Sequence, residues 1–325
     1  MCRNMRPGPV VHQTVRVPVK LVDRAAVEAA AGRLYGLVHR TPVLTCGLLD
    51  ERAEAALYLK AEVFQKTGSF KIRGALNKIL QLSDEEKRRG VVTVSAGNAA
   101  GAVALAARMA GAAATVVMPA GAVQAKVDAV RGYGGEVVLA DGDLIAAYEE
   151  VRDQRGLVPV HPFDDLDVIA GAGTVGLEFL EDAPDIDVVV VPVGGGGLIS
   201  GVAAAVHGRG VRVVGVEPVG ASLMPKSVAA GQPLRDASVT TVADGLKAPM
   251  AGEVTLPHVQ ALVDELVQVE DDPIVDAVKL LASRAKLVVE PAGAAGLAAV
   301  LAGVVTGRQI GLILSGGNLD LSLLA

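Results

Sequence analysis

Tryptophan is absent from the 325 residues, and aromatic side chains of every kind make up only 2% of them. A core must therefore come from Val, Leu, Ile and Ala packed around 38 glycines, the material of close-packed helices and sheets. Cysteine is scarce too: Cys2 and Cys46 could close one bridge at most, and neither sits in a paired spacing that holds zinc or runs redox chemistry. A reducing cytoplasmic setting is the simple expectation. Positive charge is not in excess, since 30 Lys and Arg face 36 Asp and Glu for a formal charge of -6. That argues against a nucleic-acid footprint or an electrostatic membrane anchor and leaves a small molecule as the expected partner. Long apolar runs are also missing. Residues 291–306, the longest uncharged stretch worth testing, are rich in Ala and Gly and fall short of the roughly 20 strongly apolar residues that span a bilayer, so a buried helix is expected there. The opening MCRNMRPGPVVHQTVRV lacks the continuous apolar core and cleavage site of a secretory signal, and no export is expected.

What is present is a chain 51% hydrophobic and 20% charged, outside the range of disordered proteins and long enough for two domains or one large α/β domain. Residues 21–38 read as a helix ended by HRTPV, because Pro42 disfavours the helical region for Thr41. LYLKAEV at 57–63 alternates as a strand, and a polar turn at 65–69 leads into the helix FKIRGALNKILQL with Ser69 as its expected N-cap. The charged run at 83–90 reads as a solvated helix end and loop. Beyond it strands and helices alternate: VVTVS, a helix 99–110, TVVMP, a helix 122–132, EVVLA, a helix 143–155, then LVPV. The same grammar returns with a helix at 169–181, DVVVVPV, GGGG, a helix from Leu198, VRVVGVE and GLILS. Strands this continuously apolar belong to parallel sheets covered on both faces. The expected organisation is a large lobe made of residues 1–85 and 166–325 with a small lobe of residues 86–165, and the cleft between them is the expected site.

Three loops after strands carry the chemistry. Gly194, Gly195, Gly196 and Gly197 lie between an apolar strand and a helix, where unobstructed N–H groups and the positive end of a helix dipole suit a phosphate. The spacing matches neither the dinucleotide fingerprint nor the nucleoside-triphosphate loop, so the run does not name its ligand; a cofactor monophosphate is one that fits. Ser95-Ala96-Gly97-Asn98 and Ser315-Gly316-Gly317-Asn318 follow two other strands, and ligands of open parallel sheets gather at such ends. Each alone reads as an ordinary capped Gly turn; three together point to a site. Lys71 stands just inside a predicted helix, where the dipole disfavours an ammonium and favours an amine able to attack a carbonyl.

HRTPV at 39–43, GSFKIRGA at 68–75, SAGN at 95–98, HPFDD at 161–165, GTVGLE at 173–178, GGGGL at 194–198, EPAGA at 290–294 and SGGN at 315–318 occur in this order, and with them the chain resembles the serine/threonine dehydratases. These are fold-type II pyridoxal phosphate (PLP) enzymes, related to the tryptophan synthase β chain. The resemblance implies an α/β enzyme of two lobes, with mainly parallel sheets covered by helices and PLP in the interlobe cleft. It implies that Lys71 forms the Schiff base, that Gly194 to Gly197 with Leu198 hold the cofactor phosphate, that Asn98 meets the ring oxygen and Ser315 the pyridine nitrogen, and that Phe70 packs on the cofactor. Glu290 would support the site. Ser95, Ala96, Gly97, Asn98 and Ala99 would hold the carboxylate of a small amino-acid substrate, and a homodimer is a family expectation.

The expected reaction is loss of water from threonine, serine or a related 3-hydroxy amino acid, giving a 2-oxo acid and ammonia. A racemase, or another β-eliminating PLP enzyme, is the nearer alternative; a phosphate-ligand binding protein without turnover is the more distant one. Related racemases place a serine where Ala96 stands, which favours elimination. The chain departs from the family pattern at Ala99, usually His, and at Ala172, often Gln. Where relatives with a divalent cation follow a strand Glu with a second carboxylate, Glu217 is followed by Ala221 and Leu223, so no strong metal site is expected. His161, Asp164 and Asp165 are expected to cap and connect rather than to catalyse.

Overall fold

The computed structural model describes residues 20–236 and 238–324. The N-terminal stretch and Cys2 lie outside the described residues. Two sheets organise the chain. The larger runs in the order β1 (Val43–Leu44), β2 (Ala56–Ala61), β10 (Gln309–Leu314), β7 (Val188–Pro192), β8 (Arg212–Pro218), β9 (Glu265–Val269). All its pairings are parallel except β1 with β2. The smaller, wholly parallel sheet runs β5 (Glu136–Ala140), β4 (Ala114–Pro119), β3 (Val91–Val94), β6 (Val158–Pro159).

Helices cover both faces of the larger sheet because its strands bury both. In β7, Val188 and Val190 enter the core on one side, while Val189 and Val191 enter the core on the other. The first core is closed by α12 (Asp271–Leu280) and α13 (Pro291–Leu301), the second by α1 (Arg24–Leu34), α8 (Leu166–Asp182) and α9 (Gly197–Val206). The Ala- and Gly-rich stretch is thus the buried helix α13. Around the smaller sheet stand α5 (Asn98–Ala110), α6 (Gln124–Gly132) and α7 (Leu144–Arg155). Between the sheets, α3 (Lys71–Leu80) packs on both α5 and α8. The remaining helices are α2 (Gly47–Ala53), α4 (Asp84–Arg89), α10 (Met224–Ala230) and α11 (Thr255–Leu262).

Two local expectations are corrected. Ser69 does not cap α3: Phe70 occupies the N-cap position, no side chain caps it, and the Ser69 backbone is drawn instead into a bridge with Gly316. The run at 83–90 is an independent helix, α4, started by a reciprocal capping box between Ser83 and Glu86 and burying nothing. No helix among the described residues is long and apolar enough to cross a membrane.

Candidate active site

Lys71 is the first residue of α3. Its Nζ donates to the Pro162 carbonyl at 2.8 Å and lies 5.1 Å from the centre of the Phe70 ring. Desolvation pushes its pKa down to about 8, against the opposing pull of the Glu290 carboxylate. The position of α3's first turn is set by pairing of the flanking loop: Phe70 N–H donates to Ser315 O at 3.0 Å and Gly317 N–H to Gly68 O at 2.8 Å. Lys71 and Ser315, remote in sequence, therefore sit side by side. Behind the lysine lies a small cavity whose walls include Ala75, Ala99, Val103, His161 and Val168.

The glycine run connects β7 to α9. Gly196 has φ +94° at the N-cap of α9, a conformation that favours glycine. A Cβ on Gly195 would fall 2.4 Å from the Phe163 ring, and one on Gly197 would fall 2.9 Å from the Phe163 carbonyl oxygen. Gly195, Gly196, Gly197 and Leu198 are buried, yet their N–H groups and that of Gly194 have no protein acceptor among the described residues. Buried amides normally find an acceptor, and these are free to take an anionic one.

The SAGN and SGGN loops are joined by side chains. Asn98 Nδ2 donates to Glu290 Oε1 at 2.6 Å, and Asn318 Nδ2 donates both to Asn98 Oδ1 at 2.8 Å and to Thr67 O at 2.9 Å. This fixes the Asn98 amide with its donor edge towards Glu290. Burial pushes the Glu290 carboxyl up to about 7, opposed by that hydrogen bond and by Lys126 and Lys71. Ser95 Oγ accepts from Gly97 N–H, and Gly97 is the N-cap of α5. Ser69 is fully buried, and its hydroxyl has no hydrogen-bond partner.

The capping residues behave as their sequence context implies. Asp165 caps α8 through the amides of Asp167 and Val168. Asp164 accepts from Glu253, Val254 and Thr255 at the start of α11, and Thr255 Oγ1 donates to Gly195 O at 2.7 Å. Glu217, buried on β8, accepts from Ser222 Oγ at 2.8 Å and from the Met224 amide at 3.2 Å. Among the described residues no cluster of His, Cys, Asp and Glu could hold a metal ion.

The structure brings Lys71, Phe70, Ser315, Asn98 and Glu290 together. Three further groups take part in the site. Asn318 ends the SGGN motif and was legible as part of it; Thr255 had no local signal. The Pro162 carbonyl is a backbone atom that any residue type would supply.

A desolvated lysine amine on the Pro162 carbonyl, with a run of glycines whose amides are unpaired packed against the next residue, Phe163, defines the class: an α/β enzyme built for PLP. The residues present fit that group, including the partnerless Ser69 hydroxyl. The profile of the pyridoxal-phosphate dependent enzyme family matches residues 34–316, and the chain belongs to that family. It is 45% identical to the L-threonine ammonia-lyase of Thermotoga maritima, over 92% of this chain and 76% of that protein. It is 43% identical to a serine racemase of Oryza sativa subsp. indica, over 93% of this chain and 92% of that protein. The solved structure of maize serine racemase superposes with a TM-score of 0.90 at 42% identity, covering 94% of this chain and 96% of that one.

Proposed function

We propose that this PLP enzyme is an ammonia-lyase that removes water from threonine, serine or a related 3-hydroxy amino acid, releasing a 2-oxo acid and ammonia. When bound, the cofactor supplies an electron sink that makes the α-proton of an attached amino acid acidic. The chain's own residues do the rest. Lys71 would take the α-proton as general base, and an amine held near pKa 8 is matched to that task near neutral pH. Gly194 to Leu198 would hold the phosphate, Asn98 and Ser315 would meet the ring, and Phe70 would pack against it. Glu290 supports the site through Asn98. The loop Ser95 to Ala99 at the start of α5 orients the substrate carboxylate, which exposes the α-proton to Lys71. A seryl hydroxyl at position 315 does not hold the ring nitrogen protonated as a carboxylate would, which suits elimination.

The observation that carries elimination over inversion is Ala96. Racemisation needs a proton donor on the face opposite Lys71, and a methyl group in the SAGN loop offers none. The similarity to serine racemases keeps racemisation as a second reading, with a bound water as the donor. Incubation with threonine, serine and larger 3-hydroxy amino acids separates the readings. A lyase yields equal amounts of 2-oxo acid and ammonia, a racemase yields the opposite enantiomer, and a binding protein yields neither. We further infer that residues 86–165 form the smaller lobe, to be tested by limited proteolysis near its two boundaries, and that the enzyme is cytoplasmic.

A further inference from the structure

The Pro162 carbonyl is the acceptor for the Lys71 amine, and its position depends on the residue before it. His161 Nδ1 accepts from two amides of the same turn, Asp164 at 2.8 Å and Phe163 at 3.3 Å. An imidazole that accepts at Nδ1 carries its proton on Nε2, and a protonated ring could accept from neither. The Phe163 ring stands edge-on to the imidazole at 4.6 Å, and Asp164 anchors the far end of the turn on α11. The charged groups acting on His161 are Asp164 and Asp165, which favour its protonation, and Lys71, which opposes it. The cavity walls contributed by α3, α5 and α8, namely Ala75, Ala99, Ala102, Val103 and Val168, are apolar. Burial, the dominant influence, holds the ring neutral below the ordinary histidine range.

We propose that His161 is a positioning residue for the reacting amine: by accepting at Nδ1 it closes the 161–164 turn, and the closed turn presents the Pro162 carbonyl to hold the Lys71 ammonium whenever that nitrogen is not covalently engaged. After Lys71 takes a proton, the new ammonium donates to Pro162 O instead of remaining unpaired in an apolar cavity. The carbonyl favours the charged form, so it sets how readily the amine accepts and returns that proton. The proposal rests on Lys71 being the proton-carrying residue of the proposed lyase.

The test uses the full-length chain after its cofactor has been resolved. Lys71 is labelled with trace acetic anhydride across pH, and the acetylated peptide is quantified by mass spectrometry. His161→Asn keeps an acceptor near the place of Nδ1, whereas His161→Ala removes it. Wild type and His161→Asn are expected to share one labelling midpoint, and His161→Ala to move it down by about one pH unit, a tenfold change in the amine-to-ammonium ratio. In the cofactor-loaded enzyme, the same midpoint shift should appear on the acid limb of kcat and be restored by His161→Asn. If His161→Ala does not fold, nitrogen-15 spectra of wild-type histidine decide. An Nε2–H tautomer that persists below pH 6 supports the proposal. An Nδ1–H tautomer, an ordinary histidine titration, or equal midpoints in folded His161→Ala and wild type overturn it. Failure to release 2-oxo acid would sink the lyase reading without moving these midpoints, so the two failures are distinguishable.

Discussion

Arg73 offers the sharpest test of how α3 is held. The residue is fully buried two positions after Lys71, and every donor of its guanidinium is engaged. Nε donates to Glu62 Oε2 at 2.9 Å, and Nη2 donates to Glu62 Oε1 at 2.8 Å and Glu178 Oε2 at 2.9 Å. Nη1 donates to Glu178 Oε1 at 2.7 Å and Thr174 Oγ1 at 3.2 Å, and the His39 carbonyl accepts from Nη2. Glu178 has a second cation in buried Lys60 at 2.8 Å, but Glu62 is left with only the Thr41 hydroxyl if the guanidinium is removed. Arg73→Met therefore strands a carboxylate that is fully buried, a change that costs about 3–5 kcal/mol. Arg73→Lys keeps the charge without the planar fork and should recover less than half of that loss. Adding Glu62→Leu to Arg73→Met should return about 1–3 kcal/mol, because the stranded charge is gone. The assay is urea unfolding followed by circular dichroism, without cofactor, so that ligand binding does not mask the change. A loss below about 1 kcal/mol for Arg73→Met, or strict additivity in the double variant, refutes the reasoning.

Removing the partnerless hydroxyl by Ser69→Ala should stabilise the cofactor-free chain by about 1 kcal/mol and weaken PLP affinity about tenfold; a thermal melt and a fluorescence titration read the two opposite signs. Burial raises the Glu217 pKa from 4.5 to about 7, so its contribution to stability is fully present below pH 4.5 and is lost as pH rises through 7. Glu217→Gln should therefore be more stable than wild type by roughly 3 kcal/mol at pH 8, with the difference vanishing near pH 4.5; unfolding curves at both pH values check it. If the chain is the proposed lyase and position 96 lies opposite Lys71, Ala96→Ser should add inversion of serine to elimination, visible as the opposite enantiomer on a chiral column. No inversion in a folded, PLP-loaded Ala96→Ser would remove the argument from position 96.

The alternation of apolar strands and Ala-rich helices made both mainly parallel sheets legible, and the glycine run was legible as the loop between a strand and a helix. The place of Lys71 at the start of α3 was legible because helix start, flanking Gly and motif agree. Ser69 was misread because a serine ahead of a helix has the local signature of a cap, while the strand-like bridge to Gly316 that claims its backbone spans more than 240 positions in the chain. The buried cluster of Lys60, Glu62, Arg73 and Glu178 was hidden for the same reason. Charged residues read as solvated until the fold supplies partners from β2 and α8. Strand β9, ELVQV at the sheet edge, is only half apolar and lacks the continuous pattern that marked its neighbours.

The measurement that bears most directly on the central claim is reductive trapping at Lys71. PLP is added to the cofactor-free chain, borohydride follows, and the peptides are mapped by mass spectrometry. The account predicts a yellow complex and one stable pyridoxyl adduct, located on Lys71 and suppressed when inorganic phosphate is supplied in large excess. A chain that stays colourless, or that carries its adduct on another lysine with Lys71 untouched, would contradict it.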